Sequence, residues 1–316
     1  MNDAAPYFDD VSAGPPGGDA VWLTTSDGVR VRVAVWPQGT RGTVFWFPGR
    51  TEYVEKYSDG AQHLHDAGFA SVAIDWRGQG LTERSDHGHL IGHVNDFKDF
   101  QLDVDAMLDH ARRLDLPRPW HLFAHSMGGL IGLRSVMTRH DFQRAVFSAP
   151  MWGIQASPAQ RISAWTLSSV GTALGLGARA APFTGKARDP AGAPFEGNVL
   201  TSDPEMFRWM KNQLRAHPEL ALGGPSLSWL IAALREMHNL ARRAAPDVPV
   251  LGILGTEESI VSSDAIHVRL ASWPGARLEI IEGARHEAFM EDAATRRRLY
   301  DLVIGHFTDA AAKTAS

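Results

Sequence analysis

The chain of 316 residues contains no cysteine. That excludes disulfides, thiolate metal centres and a cysteine nucleophile, and it leaves the redox compartment open. Positive charge is not in excess either: 31 Lys and Arg stand against 36 Asp and Glu, a net charge of −5, so nothing marks a nucleic-acid partner. Long apolar runs are also missing. The longest uncharged stretch, Ile162 to Ala178, is diluted by serine, threonine and glycine and falls short of the ~20 apolar residues of a membrane span. It reads as a lid or a buried helix. The N-terminus carries Asp3, Asp9 and Asp10 and no basic residue before an apolar run, unlike a secretory leader, so a cytoplasmic location is expected.

What is present is ordinary for a globular protein with a sizeable core: 44% hydrophobic and 21% charged residues. Val21 to Thr24 and Val29 to Trp36 have strand composition and are joined by Ser26-Asp27-Gly28, a hairpin turn. Thr43 to Phe47, Ala70 to Ile74, Trp120 to Phe123, Ala145 to Ser148, Val250 to Leu254 and Leu278 to Ile281 are short apolar runs suited to buried strands. Helical spacing marks Val54 to Ala67, the stripe from Phe97 to Leu114, the stretch from Leu130 to Met137, Leu227 to Ala244 and Thr295 to Phe307. Eight strands with helices between the later ones predict an α/β fold, a mostly parallel sheet wound on both faces. Residues 151 to 224 break the rhythm with frequent proline and glycine and scattered aromatics. They predict a helical cap inserted into a core made of residues 1–150 and 225–316.

In such sheets reactive groups belong at the carboxyl ends of strands. At the end of Trp120 to Phe123 stands Ala124-His125-Ser126-Met127-Gly128, a strand-to-helix turn carrying a serine between small residues. This is the nucleophile-elbow pattern with Ala124 in place of the first glycine. A serine hydroxyl needs a base and a group that orients the base. The two loops that follow supply them in the required order. Thr256-Glu257-Glu258 comes after one strand, and Glu282-Gly283-Ala284-Arg285-His286 after the next. His87, His89 and His93 have loop spacing without a ligand-like carboxylate pattern, so no metal is expected there. Arg296, Arg297 and Arg298 read as a solvated helix face.

Six segments together resemble the serine α/β-hydrolase superfamily, in its lysophospholipase and monoacylglycerol-lipase-like branch. They are FPGRTEYVEKY, DWRGQGLTER, HVNDFKDFQLDVDAM, AHSMGG, GTEESIV and GARHEAFME. The resemblance implies that Ser126 is the nucleophile, His286 the general base and Glu258 the triad acid, where the family usually has Asp. Glu257 and Asp264 are the neighbouring alternatives. It also implies an oxyanion hole made by the backbone N–H groups of Arg50 and Met127, with Pro48 standing where the family usually has histidine. The implied activity is hydrolysis of single-chain acyl esters, lysophospholipid or monoacylglycerol, through an acyl-enzyme. Apolar cap residues such as Trp152, Trp165, Leu174, Phe183 and Met210 would supply an acyl channel. The substrate is thus a small acyl ester; no cofactor, metal or nucleic acid is expected, and a transient membrane contact is compatible with the cap. An acyltransferase, a peptidase or a small-ester hydrolase could use the same residues, and a degenerate hydrolase fold could serve as a binding protein. The sequence leaves the oligomeric state open.

Overall fold

The computed structural model describes residues 3–84, 88–182 and 190–309. Its centre is one nine-stranded sheet, ordered β1-β2-β3-β5-β4-β6-β7-β8-β9. The strands are β1 (Ala4–Ala5), β2 (Asp19–Thr24), β3 (Arg30–Trp36), β4 (Thr43–Phe47), β5 (Ala70–Asp75), β6 (Trp120–His125), β7 (Arg144–Ser148), β8 (Val250–Gly255) and β9 (Arg277–Ile281). Strands β1 to β3 and the β3–β5 pair are antiparallel; every other pairing is parallel. The strand beyond the eight expected is β1, whose two residues are too few to show a period.

The central strands are apolar on both faces because helices cover both. Strands β4 to β8 are buried throughout. One layer holds α2 (Phe100–Arg113), α3 (Met127–Thr138), α6 (Leu227–Ala241) and α7 (Ser263–Ala271), whose Val104, Met107, Leu130, Met237 and Ile266 join the larger core. The opposite layer holds α1 (Ser58–Asp66) and α8 (Ala293–Thr308), with Leu64, Leu299, Tyr300 and Val303 packed on Trp46 and Phe123. Each fully buried large side chain contributes ~1.5–3 kcal/mol to this packing.

Strand β4 lies between β5 and β6, so the chain leaves it to one side and returns on the other. The crevice at such a switch point is where the loops after adjacent strands part. Phe47 is in register with Ala124, which sets the loop that begins at Pro48 beside the turn at Ser126.

Between β7 and β8 the described chain adds no strand to the sheet. It forms α4 (Pro158–Ala173), α5 (Pro204–Ala216) and α6. Helix α4 starts with a capping box, Ser157 with Gln160, and Pro158 in its first turn; Asp203 and Ser226 cap α5 and α6. The uncharged stretch noted in the sequence forms α4 and is not a buried helix. Only Ser168 and Gly171 of α4 are buried, while Ile162 is 68%, Val170 53% and Leu174 71% exposed. Trp152, expected in the cap, instead belongs to the core, packed on Phe147 and Trp273 with its indole N–H donated to Gly129 O. Phe183 lies outside the described residues. Among the described residues, no helix is long and apolar enough to cross a membrane.

Candidate active site

Ser126 sits between β6 and α3 with φ 49° and ψ −117°, a strained conformation for a residue with a side chain. Close packing imposes it. A Cβ on Gly128 would lie 2.0 Å from Phe47 O and 2.6 Å from Pro48 O, so only glycine lets α3 start against the β4 loop. Ala124 is fully buried, and Gly132 faces it across the turn. The extra methyl therefore fits because α3 is glycine-thinned on its other side.

His286, in the loop after β9, places Nε2 2.9 Å from Ser126 Oγ. Its Nδ1 lies 2.7 Å from Glu258 Oε2. The other carboxylate oxygen of Glu258 accepts from the N–H groups of Ile260 (2.6 Å) and Val261 (3.0 Å). Burial alone would raise the Glu258 carboxyl, but the histidine and these two N–H donors outweigh it and hold the group below its ordinary value. Glu257 and Asp264 are exposed and are not joined to this chain of contacts. The longer Glu side chain is accommodated because its second oxygen is tied down by its own loop.

The loop after β4 is pinned at several points. Trp76 Nε1 donates to Pro48 O (2.9 Å), Gln79 Nε2 donates to Gly49 O (3.1 Å), and the Gly49 N–H donates to Glu52. The Arg50 N–H makes no hydrogen bond among the described residues. No side chain caps the N-terminus of α3, so the N–H groups around Met127 meet the cleft with the positive end of the helix dipole. Two such donors beside a serine can hold a developing oxyanion.

A buried polar cluster behind the serine was not anticipated from the sequence. Lys56 Nζ bridges Glu52 Oε1 (2.5 Å) and Glu287 Oε1 (2.6 Å), and Tyr57 donates to Glu52 Oε2 (2.5 Å). His125 Nε2 lies 3.5 Å from Glu287, and its ring centroid 4.9 Å from that of His286. Burial lowers His125, against the pull of Glu52. Burial raises Glu287, to about 7, against the pull of Lys56 and with the push of Glu52. Glu52 is held well below the carboxylate range: burial opposes this, but Lys56, His125 and Tyr57 favour the charge. The only hints in the sequence were position, since His125 precedes the serine and Glu287 follows the histidine.

Glu52, His125 and Glu287 bring ligand atoms within 4.8 Å of one another, a spacing that suits a metal ion. The Lys56 ammonium already bridges the two carboxylates, so these residues fit a cation of the chain's own. Of the histidines weighed as ligands, His93 instead contacts Ser226 Oγ at 2.9 Å, and His87 lies outside the described residues.

These groups open on a cleft of about 260 Å³ lined by Arg50, Ser126, Leu200, Met210, Lys211, Leu214, Leu222, Ile260 and His286. Segment 198–201 braces the histidine loop. Leu200 O accepts from Glu287 N (2.8 Å), and Arg285 donates to Asn198 O (3.0 Å) and Thr201 O (2.9 Å).

A family model described as serine aminopeptidase, S33, matches residues 38–293. A probable lysophospholipase L2 of Haemophilus influenzae is 30% identical over 265 residues, 82% of this chain and 81% of that protein. Lysophospholipase L2 of Escherichia coli K12 is 29% identical over 82% of this chain and 78% of its own length. Among solved structures, a soluble variant of Saccharomyces cerevisiae monoglyceride lipase superposes with TM-score 0.72 at 20% identity, covering 96% of this chain and 98% of that one. A Bacillus coagulans carboxyl esterase gives 0.75 at 15% identity, covering 93% of this chain and 100% of the other. Fold, sheet order and match over most of the chain agree: the protein is a hydrolase with the α/β-hydrolase fold and belongs to the serine aminopeptidase S33 family.

Proposed function

We propose that the protein cleaves single-chain acyl esters, lysophospholipid or monoacylglycerol, with Ser126 as nucleophile, His286 as base and Glu258 as the orienting acid. The observation that carries this reading is the unbroken contact chain from Ser126 Oγ through both nitrogens of His286 to Glu258. Ser126 Oγ attacks the ester carbonyl carbon while its proton passes to His286 Nε2. The carbonyl oxygen, now anionic, is held by the N–H groups of Arg50 and Met127. Collapse expels the alcohol, which takes the proton from His286. Water then adds to the acyl-serine by the same route and releases the fatty acid.

The names of the two bacterial relatives favour a lipid ester over a peptide, and so does the cleft. An aminopeptidase needs an anion for its substrate's α-ammonium, yet both carboxylates lining the cleft are engaged by Lys56. Leu200, Met210, Leu214, Leu222 and Ile260 offer an apolar wall, on which each methylene of an acyl chain gains ~0.8 kcal/mol. We read residues 151–224 as the cap over this cleft. The outer stripe of α4, with Ile162, Trp165, Val170 and Leu174 exposed, is the surface that meets lipid assemblies. A cytoplasmic setting stays part of the proposal and is tested by cell fractionation. Purified protein is expected to release fatty acid from lysophospholipid and monoacylglycerol; release from neither, with no hydrolysis of short chromogenic esters, would refute the reading.

A further inference from the structure

Among the described residues, the cleft holds one cation, Arg50, that its own carboxylates do not engage. Five of its lining residues carry charge: Arg50, Lys56, Lys211, Glu52 and Glu287. Lys56 is consumed by the two carboxylates, at 2.5 and 2.6 Å. Arg50 has no carboxylate within ion-pair reach among the described residues. Its recorded contacts are Nη1 donated to Gly223 O at 2.6 Å and its guanidinium over the Trp229 ring at 5.8 Å. Burial without a compensating anion lowers it to about 10, so it remains charged at neutral pH. Among the described residues the guanidinium donates to protein only through Nη1, which leaves Nε and Nη2 as donors for a ligand. Lys211, buried on α5, lines the same cleft and lies over the Phe207 ring.

A cation held in a partly desolvated site without its counter-ion suits an anionic ligand, and a planar guanidinium fork matches phosphate oxygens in particular. The residue's position adds the register. The Arg50 backbone N–H is the proposed donor to the ester oxyanion, and its guanidinium ends one side chain away. In a glycerol lipid the acyl ester and the phosphate are likewise one short backbone apart. We propose that Arg50, with Lys211 on the same cleft, forms a phosphate subsite that selects single-chain acyl esters bearing a phosphate head group, lysophospholipids, over neutral monoacylglycerols. This rests on the hydrolase reading above and narrows its substrate.

The test compares hexanoyl lysophospholipid with hexanoyl glycerol, both soluble, in wild type and in Arg50→Gln, Arg50→Lys and Lys211→Gln. Wild type is expected to favour the lysophospholipid. Arg50→Gln should lower kcat/KM for it roughly tenfold or more, mainly through KM. The neutral ester reacts through the same Arg50 backbone donor, so the ratio of the two esters is the readout, and the lysophospholipid should lose several-fold more than the neutral ester. Arg50→Lys should recover part of the difference, and Lys211→Gln should lose less. In wild type alone, glycerol 3-phosphate should compete with a neutral ester far better than glycerol does, and less well as salt rises. Equal losses on both esters in Arg50→Gln would reduce Arg50 to loop support and overturn the subsite. So would an unchanged ratio, or glycerol 3-phosphate competing no better than glycerol. If wild type cleaves neither ester, the hydrolase reading itself falls, which is a different failure from a wild type that cleaves both without preference.

Discussion

The sheet and the inserted segment bury their apolar residues to opposite degrees. Strands β4 to β8 are buried along their whole length, whereas α4 and its C-cap turn Ile162, Val170 and Leu174 outward at more than half exposure. Burial on both faces fixes strand register, and register fixes where the loops carrying Ser126, Glu258 and His286 emerge. An outward apolar stripe fixes nothing within the molecule and leaves apolar surface for something else. The proposed function puts the chemistry at the strand ends and the encounter with substrate on the insertion. The two regions meet where segment 198–201 holds the histidine loop.

Damage at the strand ends should be the most severe. Ser126→Ala is expected to lower kcat by ~10⁶, and Glu258→Gln by ~10⁴ with the fold intact, measured on a soluble ester alongside circular dichroism. If Glu257→Gln matched the loss in Glu258→Gln, the assignment of the acid would move. Next comes the buried cluster joining the β4 loop to the histidine loop. Lys56→Met leaves Glu52 and Glu287 without their shared cation and should cost ~3–5 kcal/mol in denaturant unfolding. A loss near zero would mean that the two loops are held independently.

Changes on the insertion should spare the chemistry. Ile162→Ser, Val170→Ser and Leu174→Ser combined should weaken vesicle binding by roughly tenfold or more with hydrolysis of a soluble ester unchanged. Loss of both activities together would erase the distinction between the regions. The smallest effect concerns pH. Glu287 is raised from 4.5 to about 7 by burial. Between those values the folded state keeps a proton that the unfolded chain has released, so stability falls as pH rises through the window. Glu287→Gln should flatten that slope in thermal melts from pH 5 to 7; an unchanged slope would place its origin elsewhere. Glu258 acts in the opposite sense. Its lowered pKa adds stability that disappears as pH falls through the folded value.

Legibility in the sequence followed the same division. The elbow, the acid loop and the histidine loop each follow an apolar run, so local pattern and strand order suffice to place them. Strand β1 escaped because two residues carry no period. The Lys56–Glu287 pair escaped because 231 positions separate its members, and nothing near Lys56 announces a distant carboxylate. Trp152 was misplaced for a related reason: an aromatic just after β7 can turn toward the core or toward a cap, and the deciding contacts, with Trp273 and Gly129, are not local. For α4 the composition showed a stretch without charge, but its exposure depends on packing against α6, where Gly171 meets Leu227.

The central claim is that one hydroxyl, activated by its two neighbours in space, carries the acyl group. Intact-mass and peptide analysis after treatment with a fluorophosphonate tests it most directly. The account predicts a single adduct on the peptide containing Ser126, lost in Ser126→Ala and slowed in His286→Ala. No adduct, or an adduct on another serine that survives Ser126→Ala, would contradict it.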